Sequence, residues 1–596
     1  MPADRVKTAI ATVCLSGTLE DKLAATAAAG FDGVEIFEND LIASRRSPSE
    51  IRRLCADLGL SIDLYQPFRD FEAVPPDVLR KNLRRAERKF DLMAELGADT
   101  VLVCSSVSPD AVDDDDLAAE QLRLLADSAG ERGIRVAYEA LAWGRFVNSY
   151  EHAWHIVRRA DHPALGVCLD SFHILSRRSD PKAIRTIPGE KIFFLQLADA
   201  PLLDMDVLHW SRHHRLFPGQ GAFDLTEFTG HVLAAGYQGP LSLEVFNDVF
   251  RQSDPRPAAI DAMRSLLALR ESLGALDVPA PPRLDGHAFA ELAVPADSET
   301  GKVLATLGFT RAGTHRTKPV ELWQQGSARV LVNETGEGGA ISALGLTSAD
   351  PAVSARRAET LLAPVLPRQH GPDEADLSAV AAPDGTEIFF CGNDEWLRDF
   401  VPSGDSGAGT GITGIDHIAL TQPFDHFDEA TLFYRSVLGL RPDPVSEFAA
   451  PFGLVRSREV ADSDVRLTLD SALVRRGEWA PGVPSPQHIA FACDDAISVS
   501  SAMRESGAPL LDIPGNYYDD LDARFDLPAE LLAALRENSV LYDRDDEGEF
   551  LHFCTELVGS RVFFEVVQRV GGYRGYGVVN TPVYMSAHRE RRLSGA

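Results

Sequence analysis

The chain of 596 residues has only seven cysteines, and no two of them form a CxxC pair. Cys14, Cys55, Cys104, Cys168, Cys391, Cys493 and Cys554 are scattered. This excludes a zinc knuckle and suggests no disulfide framework, and free thiols fit a reducing cytoplasm. No apolar run approaches the roughly 18–20 residues that a membrane span needs, so no membrane partner is expected. Basic residues are scarce too: 58 Lys and Arg against 89 Asp and Glu leave a formal net charge of -31. Such a surface repels phosphate backbones and anionic membranes, which argues against nucleic acid as a partner. Thr8–Leu15, behind Arg5 and Lys7, reads as a first β-strand and not as a leader, because Glu20, Asp21 and a helical pattern follow at once.

What is present is ordinary for a globular protein: 45% hydrophobic and 25% charged residues. The length predicts two to four domains. From residue 5 to about 274, short apolar runs alternate with amphipathic stretches. Strands are expected at Thr8–Val13, Gly33–Ile36, Ser61–Tyr65, Thr100–Val103, Arg135–Tyr138, Leu165–Leu169, Ile192–Leu195 and Pro240–Leu243. Eight β/α units in this length predict an α/β TIM barrel, whose chemistry sits where strands end.

The last four of these strands end in a polar residue: Glu139, Asp170, Gln196 and Glu244. Taken singly, each could cap a helix or bond a loop. Together they offer three carboxylates and an amide oxygen, a hard set suited to Mg²⁺, Mn²⁺ or Co²⁺. A bound cation would also relieve the repulsion of clustered acids. His173 lies one turn past Asp170, as a structural neighbour or as a general acid or base. Arg69, at the end of the third strand, and Arg212 and Arg215, in an expected loop after the seventh, are candidates to hold an anionic substrate. A solvated basic loop is the alternative. Trp143 and Phe146 could wall the pocket.

Val278-Pro279-Ala280-Pro281-Pro282 is too proline-rich for helix or central strand, so 278–283 reads as a linker after a 1–277 barrel domain. Ser403–Thr410 is a second soft stretch. The segments on either side of it, 284–402 and 411–596, look like diverged copies of one α+β unit. Each opens on a histidine-bearing strand (His287, His417) and continues through a helix into a Leu-Gly turn. Tandem βαβββ modules, two per segment, are expected.

Several stretches carry a family resemblance. Tyr138–Gly144, Leu169–His173, Phe194–Ala200 and the Trp210–Arg215…Pro218–Gly221 stretch resemble bacterial 3-dehydroshikimate dehydratases, within the wider sugar-phosphate isomerase/epimerase barrels. The longer members continue into a half similar to 4-hydroxyphenylpyruvate dioxygenase, a vicinal-oxygen-chelate fold. The resemblance implies a divalent metal on Glu139, Asp170, Gln196 and Glu244, with His173 catalytic and Arg69 or Arg215 on the substrate carboxylate. It also implies 3-dehydroshikimate as the small-molecule substrate, dehydrated to protocatechuate. A keto-sugar isomerase or epimerase on the same barrel is the rival.

In the last third, the strands around His417, His488 and Glu565 resemble the ligand strands of that dioxygenase. Two histidines and a carboxylate are the set for non-haem Fe²⁺. The sequence also departs from it. Ala472–Gly477 stands where its substrate stretch would be, and Phe550-Leu551-His552-Phe553 lacks its glutamine. A dioxygenase with another substrate, a silent metal site and an assembly module that builds a homo-oligomer all remain open. The segment 284–402 is expected to be structural.

Overall fold

The computed structural model describes residues 6–594 apart from 337, 368–369, 406, 408, 452, 473–485 and 560. It divides into two compact units, Met1–Val278 and Pro279–Ala596. Residues 473–477 of the Ala472–Gly477 stretch lie outside the described residues.

The first unit is a closed barrel of eight strands in sequence order. They are β1 (Thr8–Ala11), β2 (Gly33–Phe37), β3 (Ser61–Phe68), β4 (Thr100–Cys104), β5 (Arg135–Glu139), β6 (Leu165–Asp170), β7 (Ile192–Leu197) and β8 (Leu241–Leu243). All neighbours are parallel, and β1 closes the ring against β8 through Thr8↔Leu241 to Ile10↔Leu243. Strands covered on both faces must be apolar along their length. β4, β6 and β7 are buried at every residue. The helices between them stop on left-handed residues where a sharp return is needed, as at Gly97 (φ 81°) ending Pro76–Leu96. Two short helices were not legible in advance. Ser171–Leu175 follows β6 directly, and Val207–His213 occupies part of the stretch expected as a basic loop.

The second unit holds two sheets, of eight and nine strands among the described residues. The second sheet runs Ile412–Thr421, helix Phe427–Leu438, four strands to Ala472, then Gln487–Cys493, three helices and Leu541–Arg544, Gly548–Cys554 and Val562–Gly571. This is the expected tandem βαβββ pattern, lengthened by the helices Gly515–Phe525 and Ala529–Glu537. Gln487–Cys493 lies between Ile412–Thr421 (antiparallel) and Val562–Gly571 (parallel).

Candidate active site and metal centres

Glu139 and Asp170 are the last residues of β5 and β6, Gln196 is the penultimate residue of β7, and Glu244 follows β8 directly. All four are buried at the mouth where the barrel fold places its chemistry. Asp170 starts the helix Ser171–Leu175: its Oδ1 accepts the backbone N–H groups of Phe172 (2.6 Å) and His173 (3.3 Å). That cap presents His173 to the same mouth. Its Nε2 lies 3.7 Å from Asp170 Oδ2 and 3.9 Å from Glu139 Oε1.

Three buried carboxylates need compensation. Burial pushes the Glu139 carboxyl well up, and the charges of Asp170 and Glu244 push it further. Glu139 Oε1 is buried with no hydrogen-bond partner. Burial also raises Glu244, partly offset by Arg215. Asp170 differs. Burial would raise it, but Arg215 and His173 bring it below its usual value. An orphaned carboxylate oxygen beside two further acids fits a cation-binding cluster, and Glu139, Asp170 and His173 can bring ligand atoms within 4.8 Å of one another.

Arg215 was expected to grip an anionic substrate. It is 1% exposed, and its Nη1 donates to Asp170 Oδ2 (2.7 Å) and Glu244 Oε2 (3.1 Å). The guanidinium serves the acid cluster itself. Arg69 and Arg212 have no carboxylate within ion-pair distance among the described residues, and both line the cleft with Gln66, Trp143, His173 and Phe246. Arg212 stacks over Phe246 (5.2 Å) and Trp143 (6.0 Å). Burial and the nearby Arg69 charge lower its proton affinity. Phe146 is absent from the cleft lining.

Sequence reasoning missed Glu35 and Gln66. Glu35 sits inside β2 and faces the barrel interior. Its Oε2 accepts the amide N–H groups of Gln66 (2.8 Å) and Gln196 (2.6 Å), and its Oε1 accepts from Ser242. Burial, and then the Glu244 charge, raise the Glu35 carboxyl well above its usual range. The only advance signal was an acid in the middle of an apolar strand, Gly33-Val34-Glu35-Ile36-Phe37.

His173 is held at both nitrogens. Nδ1 accepts from the Ala142 N–H at 3.1 Å, and Nε2 lies 3.3 Å from Arg215 Nη2. Burial drives its proton affinity down to about 3 against the pull of Asp170, helped by Arg215, Arg69 and Arg212. The ring is neutral at physiological pH.

In the second unit, His417, His488 and Glu565 converge from the three adjacent strands. His417 Nε2 and His488 Nε2 are 3.2 Å apart and lie 3.3 and 3.2 Å from Glu565 Oε2. A register shift between Ile415 and His417 leaves Asp416 unmatched in the ladder. Asp416 Oδ1 bonds His417 Nδ1 at 2.8 Å, and Arg569 clamps Asp416 through two 2.8 Å contacts. This is how a metal-ligating imidazole is usually oriented.

Comparison with known proteins follows the same division. The xylose isomerase-like TIM barrel family matches residues 23–269. The hydroxyphenylpyruvate dioxygenase N-terminal family matches 279–356, and the glyoxalase/bleomycin resistance protein/dioxygenase superfamily matches 414–533. A 3-dehydroshikimate dehydratase of Pseudomonas putida is 46% identical, over 98% of this chain and 99% of that one. The chain belongs to this dehydratase family. A second member, from Pseudomonas aeruginosa, is 47% identical over 98% of both chains. A solved xylose isomerase-like TIM barrel/4-hydroxyphenylpyruvate dioxygenase fusion protein superposes with a TM-score of 0.91 at 44% identity. That match covers 99% of this chain and all of the other. These three full-length relatives have both halves, whereas a 3-dehydroshikimate dehydratase of Neurospora crassa, 28% identical, matches 45% of this chain over 92% of its own length.

Proposed function

We propose that the barrel is a metal-dependent hydro-lyase that converts 3-dehydroshikimate to protocatechuate. The observation that carries this is the full-length 46–47% identity to two 3-dehydroshikimate dehydratases. The buried acid cluster, with two unpaired guanidiniums above it, suits such a substrate. Glu139, Asp170, Gln196 and Glu244 would hold the divalent cation. When bound, it supplies Lewis acidity to the substrate ketone.

The chain's own residues do the rest. Arg69 and Arg212 bind the substrate carboxylate, in the role that the sequence reading shared between Arg69 and Arg215. Arg215 instead offsets the charge of Asp170 and Glu244. The C–H beside the ketone loses its proton to His173 Nε2. The electron pair moves to the ketone oxygen; His173 returns the proton it took to the hydroxyl one carbon further on, which departs as water, and a ring C–H proton then shifts to the ketone oxygen to complete the aromatic ring. For Nε2 to hold a free lone pair, the ring hydrogen must sit on Nδ1. The Arg215 contact favours that tautomer and the Ala142 contact opposes it. Taking the substrate proton at Nε2 therefore requires both the Ala142 contact to break and the Arg215 N–H to turn away from Nε2.

Purified protein with added Mg²⁺ or Mn²⁺ and 3-dehydroshikimate should develop the absorbance of an aromatic product. No aromatic product with any divalent metal would retire the reading. In the second unit, His417, His488 and Glu565 are read as a divalent-metal set of the Fe²⁺ type. Seven buried free cysteines agree with a reducing, cytoplasmic setting, and no helix among the described residues is long and apolar enough to cross a membrane.

A further inference from the structure

His552 stands on Gly548–Cys554, at the place where the resembling dioxygenases have glutamine. Its side chain is fully buried. Nδ1 lies 2.5 Å from Glu565 Oε1, and Nε2 lies 3.0 Å from Asn580 Nδ2. Asn580 is itself buried, and its amide orientation follows from its other neighbours. Nδ2 donates to the Tyr542 carbonyl at 3.2 Å, and Oδ1 lies 3.1 Å from the Tyr517 hydroxyl. Gly577, in the left-handed region at φ 58°, leads the chain into this residue, and a Cβ there would come within 3.1 Å of His552 Nε2.

An amide nitrogen only donates, so His552 Nε2 accepts from Asn580. The neutral ring then has its hydrogen on Nδ1 and gives it to Glu565 Oε1. That oxygen is committed. Only Oε2 faces His417 and His488, at 3.3 and 3.2 Å. We propose that His552 is a positioning residue that limits Glu565 to one-oxygen ligation of a divalent cation, with Asn580 setting its tautomer. Two imidazoles and one carboxylate oxygen leave coordination positions open. A carboxylate free to chelate would fill one of them. The proposal rests on reading His417, His488 and Glu565 as ligands, and goes beyond it by assigning the residue that fixes the geometry.

Co²⁺ is a suitable probe, because its visible absorption reports coordination number. The full chain is titrated with Co²⁺, and the difference from its His417→Ala variant isolates this site. His552→Met removes the donor at similar bulk. It should weaken Co²⁺ binding roughly 10- to 100-fold and lower the visible absorption as the carboxylate chelates. His552→Gln, whose amide N–H can still reach Oε1, should stay close to the unaltered chain. His552→Met with unchanged affinity and spectrum overturns the role of His552. No Co²⁺ uptake that depends on His417 overturns the ligand reading itself, and the proposal with it. If His552→Met does not fold, ¹⁵N-histidine NMR of the unaltered chain decides. A hydrogen on Nδ1 of His552 supports the proposal, and a hydrogen on Nε2 overturns it.

Discussion

Gln196 gives its amide N–H to Glu35 Oε2 at 2.6 Å, and this contact fixes the orientation of the amide. The same carboxylate oxygen also takes the Gln66 amide. With its nitrogen engaged, Gln196 has its carbonyl oxygen, which takes the Cys168 thiol at 3.5 Å, as the atom that would meet the proposed cation. Glu35 would thus support Gln196 as a proposed ligand.

Glu35→Leu should therefore weaken Mn²⁺ binding to the barrel by about 10- to 100-fold. A competition titration followed by circular dichroism separates lost affinity from lost fold. A folded Glu35→Leu protein with unaltered Mn²⁺ affinity would show that the Gln196 contact is only packing.

Arg212→Ala should raise KM by on the order of 10- to 100-fold, because a hydrogen bond to a charged group contributes about 1.5–3 kcal/mol. The effect on kcat should be smaller, and Arg212→Lys should recover part of the loss. Steady-state rates with 3-dehydroshikimate test this. An unchanged KM would remove Arg212 from the substrate site.

His173→Ala should lower kcat by roughly 10²- to 10⁴-fold, the usual worth of a positioned proton acceptor. Full turnover in that variant would sink the assignment of His173 as base.

Stability should fall on the acid side. Burial holds His173 and His588 down to about 3, and His287 down to about 4. Their unfolded forms titrate near 6.5. Below 6.5 the unfolded chain binds protons that the folded chain refuses. Stability is complete above that pH and drains away as pH falls toward 3–4. Each group contributes about 2 kcal/mol of this loss between pH 6.5 and 5. His588→Phe should flatten the decline in Tm between pH 7 and 5, and an equal slope in both proteins would refute it.

The barrel was legible because both faces of its strands are covered, so β4, β6 and β7 are buried throughout and mostly apolar. The tips Glu139, Asp170 and Glu244 were legible as polar interruptions at the ends of such runs. Glu35 was not, because an acid inside a strand looks like a solvent-facing alternation until the ring closes around it. Arg215 was placed near the site as a candidate for the substrate carboxylate, and its partners here are Asp170 and Glu244. Nothing in Ser211–Arg215 distinguishes the guanidinium that turns inward to Asp170 from the one that stays at the rim over Phe246. In the second unit, the strands bearing His417, His488 and Glu565 were found where the sequence put them. In the Tyr517–Asn580–His552 chain, Tyr517 and Asn580 are 63 residues apart in sequence, and no local pattern marks it.

The pairing of β1 with β8 has a consequence for how the chain comes into being. Thr8 finds its partner only at Leu241, so the ring cannot close until nearly half the polypeptide has left the ribosome. Contacts this distant in sequence are slow to form. Until β8 arrives, β1 and β7 are open edges with apolar faces, the condition in which nascent chains aggregate. The second unit emerges while that closure is under way, so slowed elongation once β8 has left the ribosome should raise the yield of native barrel.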